Sequence, residues 1–157
     1  LELIIWMQKK IIPLLLFSFL ISNDTSRTIS TYKNGNVSTI SYHEDTDDGQ
    51  KVVRQETFHF TGSKAMEGNI EDDFKVGLWT YYYQNGKKRL EGNYIYGQKD
   101  GLWTYWYENG IKANQYTYKA QSAEGKIFEW HIDKECWTRS GNPCECGPSW
   151  WSDCEKN

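Results

Sequence analysis

The sequence lacks the features that mark most enzymes and nucleic-acid-binding proteins. It contains no Gly-rich phosphate loop, no GxSxG nucleophile elbow and no HExxH helix. The net charge is -3 and the sequence has no large basic patch, whereas phosphate binding requires clustered Lys and Arg. We therefore predict a non-enzymatic protein without catalytic residues, metal or cofactor, and without a nucleic-acid partner.

Aliphatic residues are sparse, and this excludes an ordinary core of Leu and Ile. Aromatic residues instead make up 16% of the chain. A length of 157 residues allows one domain. The sequence thus predicts a single domain whose core is built from Tyr and Trp.

Long apolar runs are also missing, apart from one short stretch near the start. Lys9 and Lys10 precede an apolar segment, 11–21, which Ser22 ends. Crossing a bilayer as a helix takes about 20 apolar residues. The pattern therefore predicts a cleaved signal peptide over 1–22, with 1–6 as an upstream extension, and no transmembrane segment beyond it. We expect an exported chain, in the periplasm, the cell envelope or secreted.

The main positive feature is an internal repeat with a 24-residue period, in which GLWTYYYQNG at 77–86 matches GLWTYWYENG at 101–110. Extending this register predicts units near 53–76, 77–100, 101–124 and 125–134, preceded by a degenerate unit or cap at 29–52. A fixed period of this size determines the architecture before any local prediction is made. The residues assigned to the repeat framework are Gly77, Gly86, Gly101, Gly110, Tyr82 and Trp106.

Each unit has the pattern of a β-hairpin. Residues 78–83 are rich in aromatic and β-branched types, which favour strands. Asn85 and Gly86 follow, and both tolerate the positive φ of a tight turn. Residues 88–96 form the predicted return strand, and 97–101 the predicted loop to the next unit. The fold class is therefore all-β, an elongated single-layer antiparallel sheet of tandem hairpins, with a signal-peptide helix before it and a Cys-rich cap after it.

The cap is predicted for 135–157, where the repeat gives way to four cysteines. They are Cys136, Cys144, Cys146 and Cys154. An even number of cysteines in an exported chain indicates disulfides. Cys144 and Cys146 are too close to pair with each other, and the other pairings stay open. A zinc site is the alternative, although the spacing lacks the usual CxxC knuckles.

The repeat block resembles the bacterial variant of the MORN repeat. The resemblance rests on Gly, Trp, an aromatic pair and Asn-Gly recurring in one frame over 53–130, and it is strongest over 77–118. It implies rows of β-hairpins and no shared catalytic residues. Proteins with such repeats are often labelled antitoxin components, although an antitoxin normally meets its toxin in the cytoplasm.

The aromatic rows give the candidate binding surface. Alternation along a strand places every second residue on one face. The rings predicted to share a face are Trp79, Tyr81, Tyr83, Trp103, Tyr105 and Tyr107. Exposed, they would suit a protein partner, because Tyr and Trp are enriched in interface hot spots. The main hypothesis is a protein-interaction or scaffold module, and the alternatives are a glycan-binding module, an antitoxin-type partner binder, or rings that only stack on each other.

Overall fold

The computed structural model describes residues 26–123 and 126–146; for 120–123 and 126–133 it describes the backbone alone. The described part of the chain is all-β and contains no helix. The predicted signal peptide at 1–22 and residues 147–157 of the predicted cap lie outside the described residues.

In the described part of the chain, ten strands form one open antiparallel sheet, and each strand pairs with its neighbours in the sequence. The strands are β1 (Ser26–Thr31), β2 (Val37–Thr46), β3 (Gly49–Phe58), β4 (Lys64–Glu71), β5 (Phe74–Tyr82), β6 (Lys88–Ile95), β7 (Gln98–Trp106), β8 (Lys112–Ala123), β9 (Lys126–Trp137) and β10 (Pro143–Cys144). The all-β prediction and the hairpin order are confirmed. Trp79 and Trp103 lie on β5 and β7, two strands apart, as the register predicts.

Among the described residues, five turns of one kind join strands at the same end of the sheet, which we call the long-turn end. The turns are Tyr32–Gly35, His59–Gly62, Tyr83–Gly86, Tyr107–Gly110 and Thr138–Gly141. In each, the glycine N–H donates to the carbonyl of the first residue, and the glycine has positive φ. The three middle turns follow one another at the predicted period, whereas the first and last stand farther from their neighbours. The repeat spacing therefore does not extend past β8.

The turn at Asn85 and Gly86 differs from the prediction. Only Gly86 has positive φ, at 81°, whereas the Asn85 Oδ1 accepts a hydrogen bond from the Lys87 N–H at 3.0 Å. Two-residue turns with both φ values positive occur at the opposite end of the strands, the short-turn end, at Asp72–Asp73 and Tyr96–Gly97. The predicted loop at 97–101 is therefore wrong, because β7 already begins at Gln98.

Gly77 belongs to a β-bulge rather than to a loop. Glu67 pairs with Thr80 and Asn69 pairs with Val76, so the segment 77–79 lies opposite Gly68 alone. Gly77 has φ 63°, which suits glycine, and Gly101 repeats this geometry with φ 67°. The bulge explains the Gly-Leu-Trp that the two best repeats share, since it places the tryptophan over the facing glycine.

The sheet has two unlike faces. The aromatic face carries Trp79, Tyr81, Tyr94, Trp103, Tyr105, Tyr116 and Tyr118, whose rings contact one another. The polar face carries the alternate residues, including a cross-strand row of Glu56, Glu67, Thr80, Glu91, Thr104 and Gln115. The core lies on the aromatic face, where Trp103, Tyr116 and Tyr118 form its buried centre.

Candidate binding surface

Trp79 and Trp103 lie in the core instead of on an exposed surface. Both side chains are 0% exposed. An indole that is completely covered cannot stack on a sugar or fill a pocket of a partner. We therefore correct the predicted aromatic surface at these two positions, and the physical reason is visible in what covers each ring.

Each indole is held between a glycine and a lysine. A Cβ atom at Gly92 would lie 2.2 Å from the Trp103 Cδ2, so the ring rests directly on the glycine backbone. The Trp103 Nε1–H donates to the Asn93 carbonyl at 3.0 Å. On the other side, the Lys99 ammonium lies 4.8 Å from the ring centroid. Trp79 repeats the arrangement one unit earlier.

The two lysines are surrounded by aromatic rings. The Lys75 Nζ lies 4.2 Å from the Trp79 centroid, 5.1 Å from that of Tyr81 and 5.5 Å from that of Tyr94, and it donates to the Tyr81 hydroxyl at 2.9 Å. Such cation–π contacts are worth about 0.5–2 kcal/mol each. Lys75 and Lys99 occupy equivalent positions of two successive repeats. Their recurrence at the repeat spacing is the sequence feature from which a lysine over each indole could have been predicted.

Tyr81 and Tyr105 are half-buried and take part in the same network. The Tyr81 hydroxyl lies 3.0 Å from the Tyr94 hydroxyl, and the Tyr105 hydroxyl lies 3.3 Å from the Tyr118 hydroxyl. Their polar ends are thus occupied within the chain. Their role as binding residues stays a prediction.

Tyr83 and Tyr107 connect neighbouring turns at the long-turn end of the sheet. The Tyr83 hydroxyl donates to the Trp106 carbonyl at 2.7 Å, and the Tyr107 hydroxyl donates to the Trp137 carbonyl at 2.9 Å. Burial raises the pKa of the Tyr83 phenol, Arg89 opposing this effect. Both hydroxyls therefore have a structural use. All six residues of the predicted surface are thus engaged in contacts within the chain.

Tyr82 and Trp106 point to the other side of the sheet, as the alternation predicts. Burial, together with the hydrogen bond to Glu67, raises the pKa of Tyr82 to about 12. The ring of Trp106 lies 5.8 Å from the Lys88 ammonium. Both rings thus belong to the polar face and help to hold its charged residues in place.

A compact charged cluster lies beside Tyr82. Arg54 contacts Glu56 and Glu67, each at 2.8 Å, and Lys64 contacts the same two carboxylates at 3.3 and 3.0 Å. The Tyr82 hydroxyl, at 2.6 Å, and then Lys64 and Arg54 lower the pKa of Glu67 against the effect of burial. Burial alone would lower the pKa of Lys64, but Glu67 and Glu56 outweigh it and raise that pKa. The cluster is neutral in sum and satisfied internally, so we assign it a structural role.

The polar face also carries an exposed group of large apolar side chains that sequence reasoning missed. This apolar patch consists of Phe74, Leu78, Ile95 and Leu102, which are 51%, 55%, 47% and 54% exposed. Leu78 pairs with Asn93 on β6, two residues before Ile95. The signal was present in the sequence, since Leu78 and Leu102 recur at the repeat spacing on the face opposite Trp79 and Trp103.

A disulfide joins β9 to the segment that follows β10. Cys136 on β9 is bonded to Cys146, and Cys136 is almost fully buried. Cys144 is disulfide-bonded as well, and Cys154 lies outside the described residues. Of the pairings that the spacing left open, the structure contains the one that joins Cys136 to Cys146.

The potential metal ligands among the described residues do not cluster. Among them, no group of three or more His, Cys, Asp and Glu side chains is placed to hold a metal ion. His43 Nε2 lies 3.0 Å from the Thr28 hydroxyl, and His59 Nε2 lies 3.1 Å from the Tyr82 carbonyl. The side chain of His131 lies outside the described part of the chain.

Comparison with known proteins adds no relative. No protein-family model and no curated protein matches this sequence. In the described ranges, no helix has the length and apolar character needed to cross a membrane. The fold defines the class of this protein, an open antiparallel sheet of hairpin units.

Proposed function

We propose that this chain is a non-enzymatic protein-interaction module of the MORN-repeat type that binds a protein partner through the apolar patch. The observation that carries the proposal is the exposure of Phe74, Leu78, Ile95 and Leu102 on one face of a sheet. Exposed apolar patches larger than a few hundred Å² mark interaction sites, whereas single exposed apolar side chains are common on any protein surface. Strands on a rigid hairpin scaffold also hold these side chains in fixed positions, which lowers the entropy cost of binding.

The family part of the proposal rests on the repeat unit. In the hairpins β5–β6 and β7–β8, a Gly-Leu-Trp within the first strand and a Tyr-x-Asn-Gly turn after that strand recur at the repeat period. Both motifs have a structural reason in this chain, namely the bulge at Gly77 and the turn at Gly86. This agreement of motif and geometry supports a MORN-type repeat.

The second part of the proposal is export to the cell envelope or beyond. The signal-like segment at 1–22 is one support, and the Cys136–Cys146 disulfide is the other, because disulfides persist in oxidising compartments. Mass spectrometry of the protein from an envelope fraction tests this directly. An N-terminus near residue 23 and oxidised cysteines are expected, whereas an intact start with free thiols in the cytosol would favour an antitoxin-type partner binder instead.

Glycan binding through the aromatic rows receives less support. A stacking platform needs a free ring face, and the faces of Trp79 and Trp103 are covered by Lys75 and Lys99. We therefore assign the binding surface to the opposite face of the sheet.

Site-specific photo-crosslinking tests the position of the interface. A benzophenone amino acid at Leu78 or Leu102 is expected to give a discrete protein adduct in the producing cells. The same probe at Ile29, an equally exposed residue on β1, serves as the matched control. The adduct should disappear when Ile95 is changed to Asp in the probe-bearing chain. Equal labelling at Leu78 and Ile29, or adducts that survive Ile95→Asp, would show that the apolar patch is not the interface.

A further inference from the structure

We infer that a cavity between two neighbouring long turns binds a small sugar acid, that is, a single sugar ring with one carboxylate group. The cavity has a volume of about 360 Å³ and lies at the long-turn end of the sheet. Its lining includes His59, Met66, Tyr81, Tyr83, Arg89 and Glu108. None of these residues belongs to the apolar patch, so the inference goes beyond the proposed function and does not depend on it.

The first observation is that Arg89 departs from the repeat at a β-bulge. In the pairs β3–β4, β5–β6 and β7–β8, one residue near the start of the return strand has no partner in the register. This residue is Ala65 in the first pair, Arg89 in the second and Ala113 in the third. A bulge re-aims the side chain of its extra residue and is common next to functional sites. The exposed Arg89 guanidinium makes no ion pair or hydrogen bond with the described residues, so its charge is available to a ligand.

The second observation is the histidine at position 59. Three other long turns begin with a tyrosine, Tyr32, Tyr83 or Tyr107, and each tyrosine hydroxyl donates to a carbonyl of the following unit. His59 stands in the same place, and its Nε2 lies 3.1 Å from the Tyr82 carbonyl. Because an imidazole is smaller than a phenol, the histidine keeps this contact and fills less of the space beside it. The cavity borders this histidine.

The charges around the cavity favour a ligand with a single negative charge. Burial raises the pKa of the Tyr83 phenol, Arg89 opposes this effect and Glu108 adds to it, so both charged groups act on the same hydroxyl. A guanidinium binds a carboxylate through two parallel hydrogen bonds. A phosphate carries up to two negative charges and would be repelled more strongly by the Glu108 carboxylate. Arg89 and Glu108 together therefore favour a carboxylate over a phosphate.

The remaining lining residues define the rest of the ligand. An ionised carboxylate only accepts hydrogen bonds, and that of Glu108 receives none from the described residues. The ligand must therefore present hydroxyl groups or other donors to it. Met66, Tyr81 and Tyr83 are half-buried and supply an apolar surface for the C–H face of a ring. The volume lies near the lower end of the range for ligand sites, which leaves room for one ring. A sugar acid such as glucuronate combines these features.

An NMR titration of the isotope-labelled full chain, with its disulfides intact, tests the inference with sodium glucuronate as the probe. We expect a Kd of about 1 mM, with shifts confined to residues around the cavity. Glucose, which lacks the carboxylate, and a glucose phosphate, which carries a phosphate instead, should each bind at least tenfold more weakly. The absence of shifts up to about 20 mM glucuronate, or binding of either comparison sugar as tight as that of glucuronate, overturns the inference.

Two substitutions that copy residues from equivalent positions of the chain locate the site. Arg89→Ala introduces the alanine of the two equivalent bulges and should weaken glucuronate binding at least tenfold. His59→Tyr introduces the tyrosine of the other turns and should abolish binding, because the larger ring fills the cavity. Both variants should keep the circular dichroism spectrum of the unchanged chain.

Arg139→Ala is the matched control, since it removes the same charge from beside Tyr107, outside the cavity. It should bind glucuronate as the unchanged chain does. Unchanged binding by Arg89→Ala, or an equal loss with Arg139→Ala, overturns the inference. Ile95→Asp, which should remove the photo-adduct of the apolar patch, should leave glucuronate binding unchanged, so the failure of one proposal can be told from the failure of the other.

Discussion

Substitution of Gly92 by alanine tests the packing on which the repeat depends. The new Cβ would lie 2.2, 2.4 and 2.5 Å from the Cδ2, Cε2 and Cγ of Trp103. Ordinary contacts of a Cβ begin near 3.4 Å, so the ring must move by about 1 Å or more. Trp103 is 0% exposed and has Lys99 on its other side, which leaves no free space for this movement.

The expected loss of stability follows from two known ranges. Overpacking a core costs about 1–3 kcal/mol, and removing a buried tryptophan side chain altogether costs about 3–5 kcal/mol. Gly92 has no positive φ, so no backbone strain is added, and replacing a strand glycine recovers about 0.5–1 kcal/mol. We therefore expect Gly92→Ala to lower the free energy of unfolding by about 2–3 kcal/mol.

Equilibrium unfolding in urea, followed by far-ultraviolet circular dichroism, measures this change. Gly68→Ala should give a similar loss, since a Cβ there would lie 2.3 Å from Trp79. Gly101→Ala is the matched control for backbone strain without a clash, because no atom lies within 4 Å of its Cβ. Its φ of 67° should cost about 1–2 kcal/mol.

A double variant provides the decisive comparison. In Trp103→Ala the ring is absent, so adding Gly92→Ala should cause little further loss and the two changes should not be additive. Additive losses, or a Gly92→Ala variant within about 0.5 kcal/mol of the unchanged chain, would refute the packing of the indole on the glycine.

Three further predictions concern the turns, the charged cluster and the disulfide. Asn85→Ala should lower the free energy of unfolding by about 1 kcal/mol, because it removes two hydrogen bonds. Thr61→Ala, at the equivalent position one repeat earlier, should be nearly neutral, and thermal melts compare the two variants. The lowered pKa of Glu67 stabilises the fold at pH values above the ordinary carboxyl pKa, and this stability is lost as the pH falls through the lower pKa of the folded state. In Glu67→Gln, the free energy of unfolding should therefore fall less steeply between pH 7 and pH 3, which unfolding curves at each pH measure. Removal of the Cys136–Cys146 disulfide, which joins residues ten apart, should lower the free energy of unfolding by about 2–3 kcal/mol. Urea curves of the unchanged chain and of a Cys136→Ala/Cys146→Ala variant measure this change, since a reductant would also break the disulfide of Cys144.

The architecture could be predicted because it depends on local residue types repeated in one frame. Aromatic and β-branched residues between Gly-containing turns specify hairpins, and a constant period places equivalent side chains on equivalent strands. The aromatic contacts of Trp79 and Trp103 follow from that register. The period failed after Tyr107, where the next long turn begins only at Thr138, because β8 and β9 are longer than the strands of the two best repeats.

The covered face of the sheet could not be predicted in the same way, because alternation along a strand does not say which of the two faces is covered. Two residues decided the outcome. Gly92 lets an indole lie flat on the backbone, and Lys99 closes over it, so the most aromatic side of the sheet became its core. Leu102, which looked like an ordinary strand residue, was left exposed on the other side. A pattern of single residues contains no information on such a cross-strand fit unless both strands are read together.

The tyrosine hydroxyls of the long turns all donate in one direction along the chain, toward the unit that follows. The Tyr107 hydroxyl donates forward to the Trp137 carbonyl, just as earlier turns donate to the unit that follows them. In the last long turn, Thr138 takes the place of the tyrosine, and its hydroxyl bonds within the turn to Ser140 and to the Asn142 N–H. Because the following β10 contains Pro143, which has no N–H, the described part of the sheet has at this strand neither the tyrosine hydroxyl nor a complete row of backbone donors.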